Sequence, residues 1–504
     1  MTLRLGSAVL IVCALAGCAD APSSSRPGVA LPSRWTTSDL PSLTAGVDDP
    51  RDRAQSLSER SAQGADWWSA FGGSRVDTLV RSALAANPNM AAAAATLRQA
   101  QELTRAQSAT LWPTLSASIG AVQAHGENAS VINSGAPRSR TALVSASYAP
   151  DLFGVNADNL ASSQATEDAA RWQLEGARLT LAGATLNALT IEKSALRVEQ
   201  LTERLADIDA AVLDILRARE SLGDVPSIAV WAQSQQLHDR RAQLAAARLQ
   251  TAQARDLLAS LLGDAPGNFV EPDFDFDQLA LPDIAPGLPG NVVERRPDVR
   301  MAAAQLRAAN AAHQAAIAAL LPQIMINADA GDVSTSIRRL LDPASLVWDL
   351  SLSVTQSLFD AGAQRHRMLA AQALADAQSS QYRATLVAAF RDVADGLESV
   401  RHDAQADVEA LARAQSAQRQ FEIASVSEAL GQISHQDALA AQAQMIQMQI
   451  LQTQIRTSRL VDASNVLVAL GGSRPTDGAE ATATSSARSI SPIATASFQP
   501  TLEP

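Results

Sequence analysis

The side chains that proteins use for chemistry are thinly and irregularly placed in this sequence. The six histidines are His125, His238, His313, His366, His402 and His435, and no two stand at a metal-ligand spacing. There is no Gly-rich phosphate loop, no nucleophile elbow and no His-Glu-x-x-His word. Met445 and Met448 could offer soft donors, but three apart on a helix they read as core packing. No catalytic residue, metal site or cofactor is therefore expected. Charged residues make up 18 % of the chain and the formal charge is −12, without basic blocks, which argues against nucleic acid as a partner.

One residue does invite covalent chemistry. Arg4 is followed by a short apolar run, Leu5 to Ala16, too short to stay in a bilayer as a spanning helix. The run ends in Leu15-Ala16-Gly17-Cys18. Small residues before a cysteine resemble a bacterial lipoprotein cleavage box, which implies that residues 1–17 are a signal peptide and that Cys18 is lipidated. An ordinary secretory signal with a chance cysteine is the alternative. The residue after Cys18 is Ala19 rather than Asp, which in the lipoprotein sorting pattern favours the outer membrane. The other cysteine, Cys13, lies inside the signal, so the mature chain would carry no free thiol or disulfide. Residues 18–60, rich in Ser, Pro, Asp and Arg, read as a lipid-anchored tether.

The elements behind these residues are dominated by one helix. From Gly154 to about Glu220 there is no proline, and Pro150 and Pro226 flank the stretch. Apolar residues recur at Leu174, Ala177, Leu181, Ala184, Ala188, Ile191, Ala195 and Val198, alternating three and four apart as in a coiled-coil seam. After a slip of phase the seam resumes at Leu201, Leu205, Ile208, Val212 and Ile215. Such a helix is about 100 Å long. Taken alone, it would equally suit a dimeric coiled-coil spacer.

The chain is also written twice. Asn87-Pro88-Asn89 aligns with Arg296-Pro297-Asp298, Trp112-Pro113 with Leu321-Pro322, and Leu152-Phe153 with Leu358-Phe359. Leu222-Gly223 aligns with Leu430-Gly431, and Leu262-Gly263 with Leu470-Gly471. An offset of 206 to 209 held over these landmarks marks duplication of a whole structural unit. The expected boundaries are 61–290 for the first repeat and 291–472 for the second, with an unpatterned tail over 473–504.

Each copy predicts a helix (Val76–Leu111; Asp298–Leu320), two strands, the long helix, a Gly-centred turn and a returning helix. The strands are Leu115–Val122 and Ala142–Ala149, then Gln323–Ala330 and Leu346–Leu358, joined by polar loops at about 126–140 and 331–346. In the last strand Trp348, Leu350, Leu352 and Val354 alternate with Asp349, Ser351, Ser353 and Thr355, giving one apolar and one polar face. The fold class is thus mainly α, with a membrane β-barrel portion. One chain has too few strands to close a barrel, since about eight is the usual minimum. Two chains would supply eight and three would supply twelve. Trp112, Tyr148 and Trp348 could form interfacial girdles, or be plain packing residues.

The words Trp67-Trp68-x-x-Phe71, Glu294-Arg295-Arg296-Pro297-Asp298-Val299-Arg300 and Leu320-Leu321-Pro322 carry a resemblance. So do Leu358-Phe359-Asp360-Ala361-Gly362 and Gly431-x-x-Ser434-x-x-Asp437. Over about Trp67 to Gly472 the chain resembles the TolC-like outer-membrane factors, specifically the NodT-type efflux lipoproteins. The resemblance implies a homotrimer with a shared twelve-stranded β-barrel and an α-barrel of internally duplicated long hairpins. It implies an outer-membrane channel that is not an enzyme: the passive exit duct of a tripartite efflux pump. Its partners would be a periplasmic adaptor and an inner-membrane transporter of the resistance-nodulation-division (RND) type. The hairpin tips at Gly223, Gly431 and Ser434 would meet the adaptor, and Asp437 would stand in an acidic ring that gates the periplasmic end. Asp437 could instead be a helix-start carboxylate favoured by the helix dipole. The first hairpin departs from the acidic word, with Pro226 and Ala229 in place of the Ser and Asp. Arg295 and Arg296 would pair with acidic neighbours. The same fold serving type I protein secretion is a rival, as is a periplasmic coiled-coil scaffold that never enters the membrane.

Overall fold

The structure is a computed structural model, and it describes residues 34–36, 41–46, 53–57, 66–123, 138–271, 273–334 and 346–472. The expected signal peptide, Cys18, most of both strand-joining loops and the 473–504 tail lie outside the described residues. In chain order the principal elements are α1 (Gly73–Ala86), α2 (Pro88–Ala109), β1 (Thr114–Gln123), β2 (Arg138–Tyr148), α3 (Val155–Ser221) and α4 (Ser227–Leu261). Then come α5 (Pro289–Val293), α6 (Pro297–Ala318), β3 (Gln323–Ser334), β4 (Leu346–Thr355), α7 (Ala363–Ala429) and α8 (His435–Ala469). The second copy thus repeats the first: α3 and α7 each have 67 residues, and α4 and α8 each have 35.

The helix expected over Val76–Leu111 is instead two helices. Pro88 disfavours the α region for the residue before it, and Asn87 is extended (φ −66°, ψ 124°). Asn87 then serves the break. Its Oδ1 accepts from Asn89 N at 2.8 Å, and its Nδ2 donates to Leu261 O at 2.9 Å. The strands run close to expectation, except that β2 already begins at Arg138, β3 continues to Ser334 and β4 stops at Thr355.

The chain divides into two compact units. The first contains Leu97–Ala170 and Met301–Thr385, and so the whole sheet. In the same unit, Ser162 Oγ donates to Ala308 O at 2.9 Å and Arg307 pairs with Asp168 at 3.2 Å, joining α3 to α6. The second unit takes in Pro32–Thr96, Arg171–Arg300 and the remainder from Leu386. Its core gathers Trp67, Trp68 and Phe71 with Val76 and Val80 of α1, Leu186 and Leu189 of α3, and Leu258 of α4. Phe274, Leu279, Leu281 and Ile284 from the inter-repeat linker join it, with Leu397, Val400, Leu460 and Leu467 of α7 and α8. Each such side chain contributes about 1.5–3 kcal/mol when fully buried.

Two sequence readings need revision in this unit. The seam on α3 does not hold at Ile191, which is exposed; Glu192, Lys193 and Ser194 are buried instead. The reason is polar: Lys193 Nζ bonds Glu271 of the linker at 2.8 Å and Ser194 Oγ accepts from Thr457 of α8 at 2.6 Å. The tether is also packed where it is described. Leu43 bridges Ser56, Gln55 Nε2 donates to Pro282 O at 2.8 Å, and Trp35 Nε1 donates to Gly287 O at 2.8 Å. Residues 41–46 and 53–57 thus form a strap on the helical unit.

Candidate functional site: the two-faced sheet and the hairpin tips

Antiparallel pairing runs in the order β1-β2-β3-β4, so among the described residues β1 and β4 are open edges of a four-stranded sheet. Register partners share a face. One face carries Leu115, Ala117 and Ile119 of β1, Ala142, Val144, Ala146 and Tyr148 of β2, Ile324, Ile326 and Ala328 of β3, and Trp348, Leu350, Leu352 and Val354 of β4. Ile119 is 88 % exposed, Trp348 77 % and Leu352 69 %. A water-soluble protein does not leave so large a contiguous apolar surface bare.

The opposite face carries Ser116, Ser118, Thr141, Ser145, Ser147, Asn327, Asp329, Asp349, Ser351 and Ser353. Val122, Leu143, Val333 and Val347 interrupt it toward the loop end of the strands, and Met325 toward the other end. Its polar groups are tied across strands: Ser147 Oγ donates to Asn327 Oδ1 at 2.8 Å, and Ser145 Oγ donates to Asp329. Asp329 and Asp349 are direct register partners, which places two carboxylates side by side on this face. Gly331 is required by close approach, because a Cβ there would stand 2.0 Å from Ala142 O.

The aromatic residues are not at equivalent heights. Trp112 precedes β1 and Tyr148 ends β2, at the level of the Thr114–Ser147 pair where strands give way to helices. Tyr148 lies level with Ile326 and Leu352, so Trp348 is four residues, about 14 Å, further along. β1 and β2 continue well past that level, to the Gln123–Arg138 pair. Trp348 therefore stands part-way along the apolar face, away from the level of Trp112 and Tyr148.

The Leu358-to-Gly362 word forms the corner from β4 into α7. Asp360 Oδ1 accepts from Gly362 N at 2.9 Å and Oδ2 from Gln364 N at 2.8 Å. These backbone donors, that of Gln364 foremost, hold its carboxyl below the usual range.

At the other end of the hairpins, Gly223 (φ +76°) and Gly431 (φ +69°) adopt the left-handed conformation that ends α3 and α7. Asp224 N bonds back to Arg219 O at 2.9 Å, and Gln432 N to Ser427 O at 2.8 Å. Beyond the turns the tips differ. Ser434 caps α8: its Oγ accepts from Asp437 N at 3.2 Å, and Asp437 Oδ2 accepts from Ser434 N at 3.2 Å and Ser434 Oγ at 2.7 Å. Asp437 is exposed while it does so. His435 Nδ1 lies 2.5 Å from Glu428 Oε1 across the same turn. The first tip has Pro226 at the cap position with no side-chain bond. Arg219 pairs with Asp224 at 2.7 Å and donates to Gln436 of the second tip at 3.1 Å.

The first tip also presents Leu222, Ile228 and Trp231, all strongly exposed. Sequence reasoning passed over Trp231. The available signal was its phase: Val230, Leu237 and Leu244 form the buried seam of α4, and Trp231 falls beside it. The Arg295-Arg296 pair resolves unequally. Arg296 is buried and binds Asp298 at 2.8 Å, Asp392 at 3.3 Å and the carbonyl of Ala469 at 3.0 Å; Arg295 is exposed. Among the described residues no three His, Cys, Asp or Glu gather as a metal site, and no helix is long and apolar enough to cross a membrane.

Lateral order follows from the seams. Leu201, Leu205 and Ile208 of α3 pack with Leu439 and Ile446 of α8, and Leu213 and Leu216 of α3 pack with Val230 and Leu237 of α4. So α3 lies between α4 and α8, which leaves α4 and α7 at the flanks. On α7, Ile423, Val426 and Leu430 form a further three-four seam that is exposed. Among the described residues the sheet unit thus has unpaired edges, and the flanking helices of the helical unit expose Ile228 and Trp231 on α4 and the seam on α7.

A subunit with an apolar sheet face, a polar sheet face and open edges is a stave of a lipid-embedded channel. The chain belongs to the outer membrane efflux protein family, which it matches at residues 79–264 and 288–472. It is similar to the pyoverdine export outer membrane protein OpmQ of Pseudomonas aeruginosa, 29 % identical over 493 residues that cover 94 % of this chain and 97 % of that one. The toluene efflux pump outer membrane protein TtgC of Pseudomonas putida is 26 % identical over 486 residues, covering 94 % and 96 %. Among solved structures, the CmeC outer membrane channel of Campylobacter jejuni has the same fold, with a TM-score of 0.75 at 20 % identity over 92 % of this chain and 97 % of that one. The protein is a TolC-like efflux channel of the outer membrane.

Proposed function

We propose that three copies of the chain close into a duct that passively conducts small molecules to the outside and performs no chemistry on them. The observation that carries this is the sheet with one apolar face, one polar face and two unpaired edges. Pairing β4 of one copy with β1 of the next satisfies every edge, and three copies give a twelve-stranded barrel. The exposed Ile228 and Trp231 of α4 and the seam on α7 meet in the same head-to-tail sense. Such heterologous contacts make a closed ring.

The molecules would be handed over by an inner-membrane transporter of the RND type through a periplasmic adaptor that meets the tips at Gly223, Gly431 and Ser434. Relatives named for pyoverdine and for toluene span a polar siderophore and an apolar solvent. That range supports a duct whose cargo is selected upstream. Residues 61–290 and 291–472 act as the two repeats, and Trp112 and Tyr148 as the girdle at the helical end of the barrel. Cys18 carries the lipid; Cys18→Ala should abolish incorporation of labelled palmitate, and unchanged labelling would remove Cys18 as the site.

Asp437 supplies three carboxylates to the periplasmic constriction. Its cap on α8 and its exposure are compatible, since one carboxylate can cap a helix and still face an ion. In planar bilayers the purified protein should conduct. Asp437→Ala should raise single-channel conductance and weaken block by divalent cations. Conductance without those changes would reject the constriction assignment; no conductance at all would reject the duct.

A further inference from the structure

We propose that Asp376 on α7 of one subunit pairs with Arg98 on α2 of the next, so that the junction between subunits repeats the junction between the two copies inside one chain. This pairing rests on the three-copy assembly proposed above and names charged side chains that fix how its members meet.

The junction inside the chain supplies the pattern. β2 of the first copy pairs with β3 of the second, and Arg307 on α6 meets Asp168 on α3 at 3.2 Å. Arg307 stands fourteen residues before Leu321, on the helix that leads into β3. Asp168 stands fourteen residues after Gly154, whose φ of +86° turns the chain into α3.

Duplication sets the same two charges on the outer flanks. Leu97-Arg98 aligns with Leu306-Arg307, and Arg98 stands fourteen residues before Trp112, on the helix that leads into β1. Asp376 stands fourteen residues after Gly362, which has the same φ of +86° and opens α7. Both are exposed, and among the described residues neither side chain has an ion pair or a hydrogen bond.

The strand-to-helix corners differ in the same direction. Leu152 and Phe153, between β2 and α3, are 65 % and 42 % exposed. Leu358 and Phe359, between β4 and α7, are 94 % and 90 % exposed. β2 has β3 as its neighbour, whereas β4 is an edge. Pairing β4 with β1 of the next subunit covers that corner and brings α7 to the next α2, as β2–β3 pairing brings α3 to α6. Asp376 then faces Arg98. The alternative of α7 against α7 would set Asp376 against Asp376. Opposite charges thus favour the head-to-tail contact that closes a ring. An exposed ion pair adds little by itself, but this one recurs at three junctions.

The test uses the full-length protein purified in detergent. A chain carrying both Arg98→Cys and Asp376→Cys, treated with a bismaleimide of matching length, should give covalent dimers and trimers on denaturing gels. Each single-cysteine chain should not. In a second arm, Arg98→Glu or Asp376→Arg should speed dissociation of the trimer in dodecyl sulfate about tenfold, roughly twofold from each of the three junctions. The double reversal should restore the wild-type rate. Trimers that neither cross-link in the double-cysteine chain nor respond to the reversals would overturn the pairing and leave the three-copy assembly standing. A protein that forms no trimer by light scattering would overturn both.

Discussion

Leu350→Arg should abolish channel formation. Leu350 lies on the apolar face of β4, paired with Ala328 and one position from the level of Ser147 and Asn327. In the proposed barrel this face meets lipid near mid-height, where an arginine costs about 2–4 kcal/mol. The cost recurs in every copy of the trimer. Outer-membrane fractionation and bilayer conductance should both be lost. The neighbouring Ser351→Arg provides the contrast, because Ser351 is on the polar face with Asn327. That variant should still fractionate with the outer membrane and should conduct, with altered ion selectivity. If Leu350→Arg inserts as well as Ser351→Arg, the face assignment is wrong.

Asp407→Ala should cost the fold about 3–5 kcal/mol, the penalty for stranding a buried charge. Arg459, fully buried on α8, donates to Asp407 Oδ2 at 2.8 Å and has no other carboxylate bonded to it at hydrogen-bond distance among the described residues, and the strap carbonyls of Ala45 and Arg53 bring dipoles rather than charge. The loss would appear as an earlier midpoint in urea unfolding followed by far-ultraviolet circular dichroism. Replacing both partners, Asp407→Leu with Arg459→Met, should recover much of it, because the stranded charge is then gone. A double variant no better than Asp407→Ala would show that the strap contacts, not charge pairing, dominate.

The parts of this fold legible in the sequence are those governed by short-range periodicity. The 67-residue helices announced themselves by proline-free runs, and the Trp348 strand by strict alternation. The Ser434-x-x-Asp437 spacing is itself a capping signal, and the structure uses it so. What stayed hidden depends on partners remote in sequence. The strap shows no pattern because its bonds reach 227 residues away, from Gln55 to Pro282 and from Ser56 to Asp283. The polar stretch Glu192-Lys193-Ser194 follows directly on the expected seam residue Ile191, yet Glu271 and Thr457 draw it in.

The unpaired borders of the four-stranded sheet also constrain how the protein reaches its destination. A solitary subunit entering hydrocarbon would carry two rows of unsatisfied amide and carbonyl groups with it, each costing several kcal/mol. Biogenesis must therefore be concerted: companions gather first and cross into lipid as one body. The rate of appearance of mature pores should then climb more steeply than linearly with the supply of newly exported subunits.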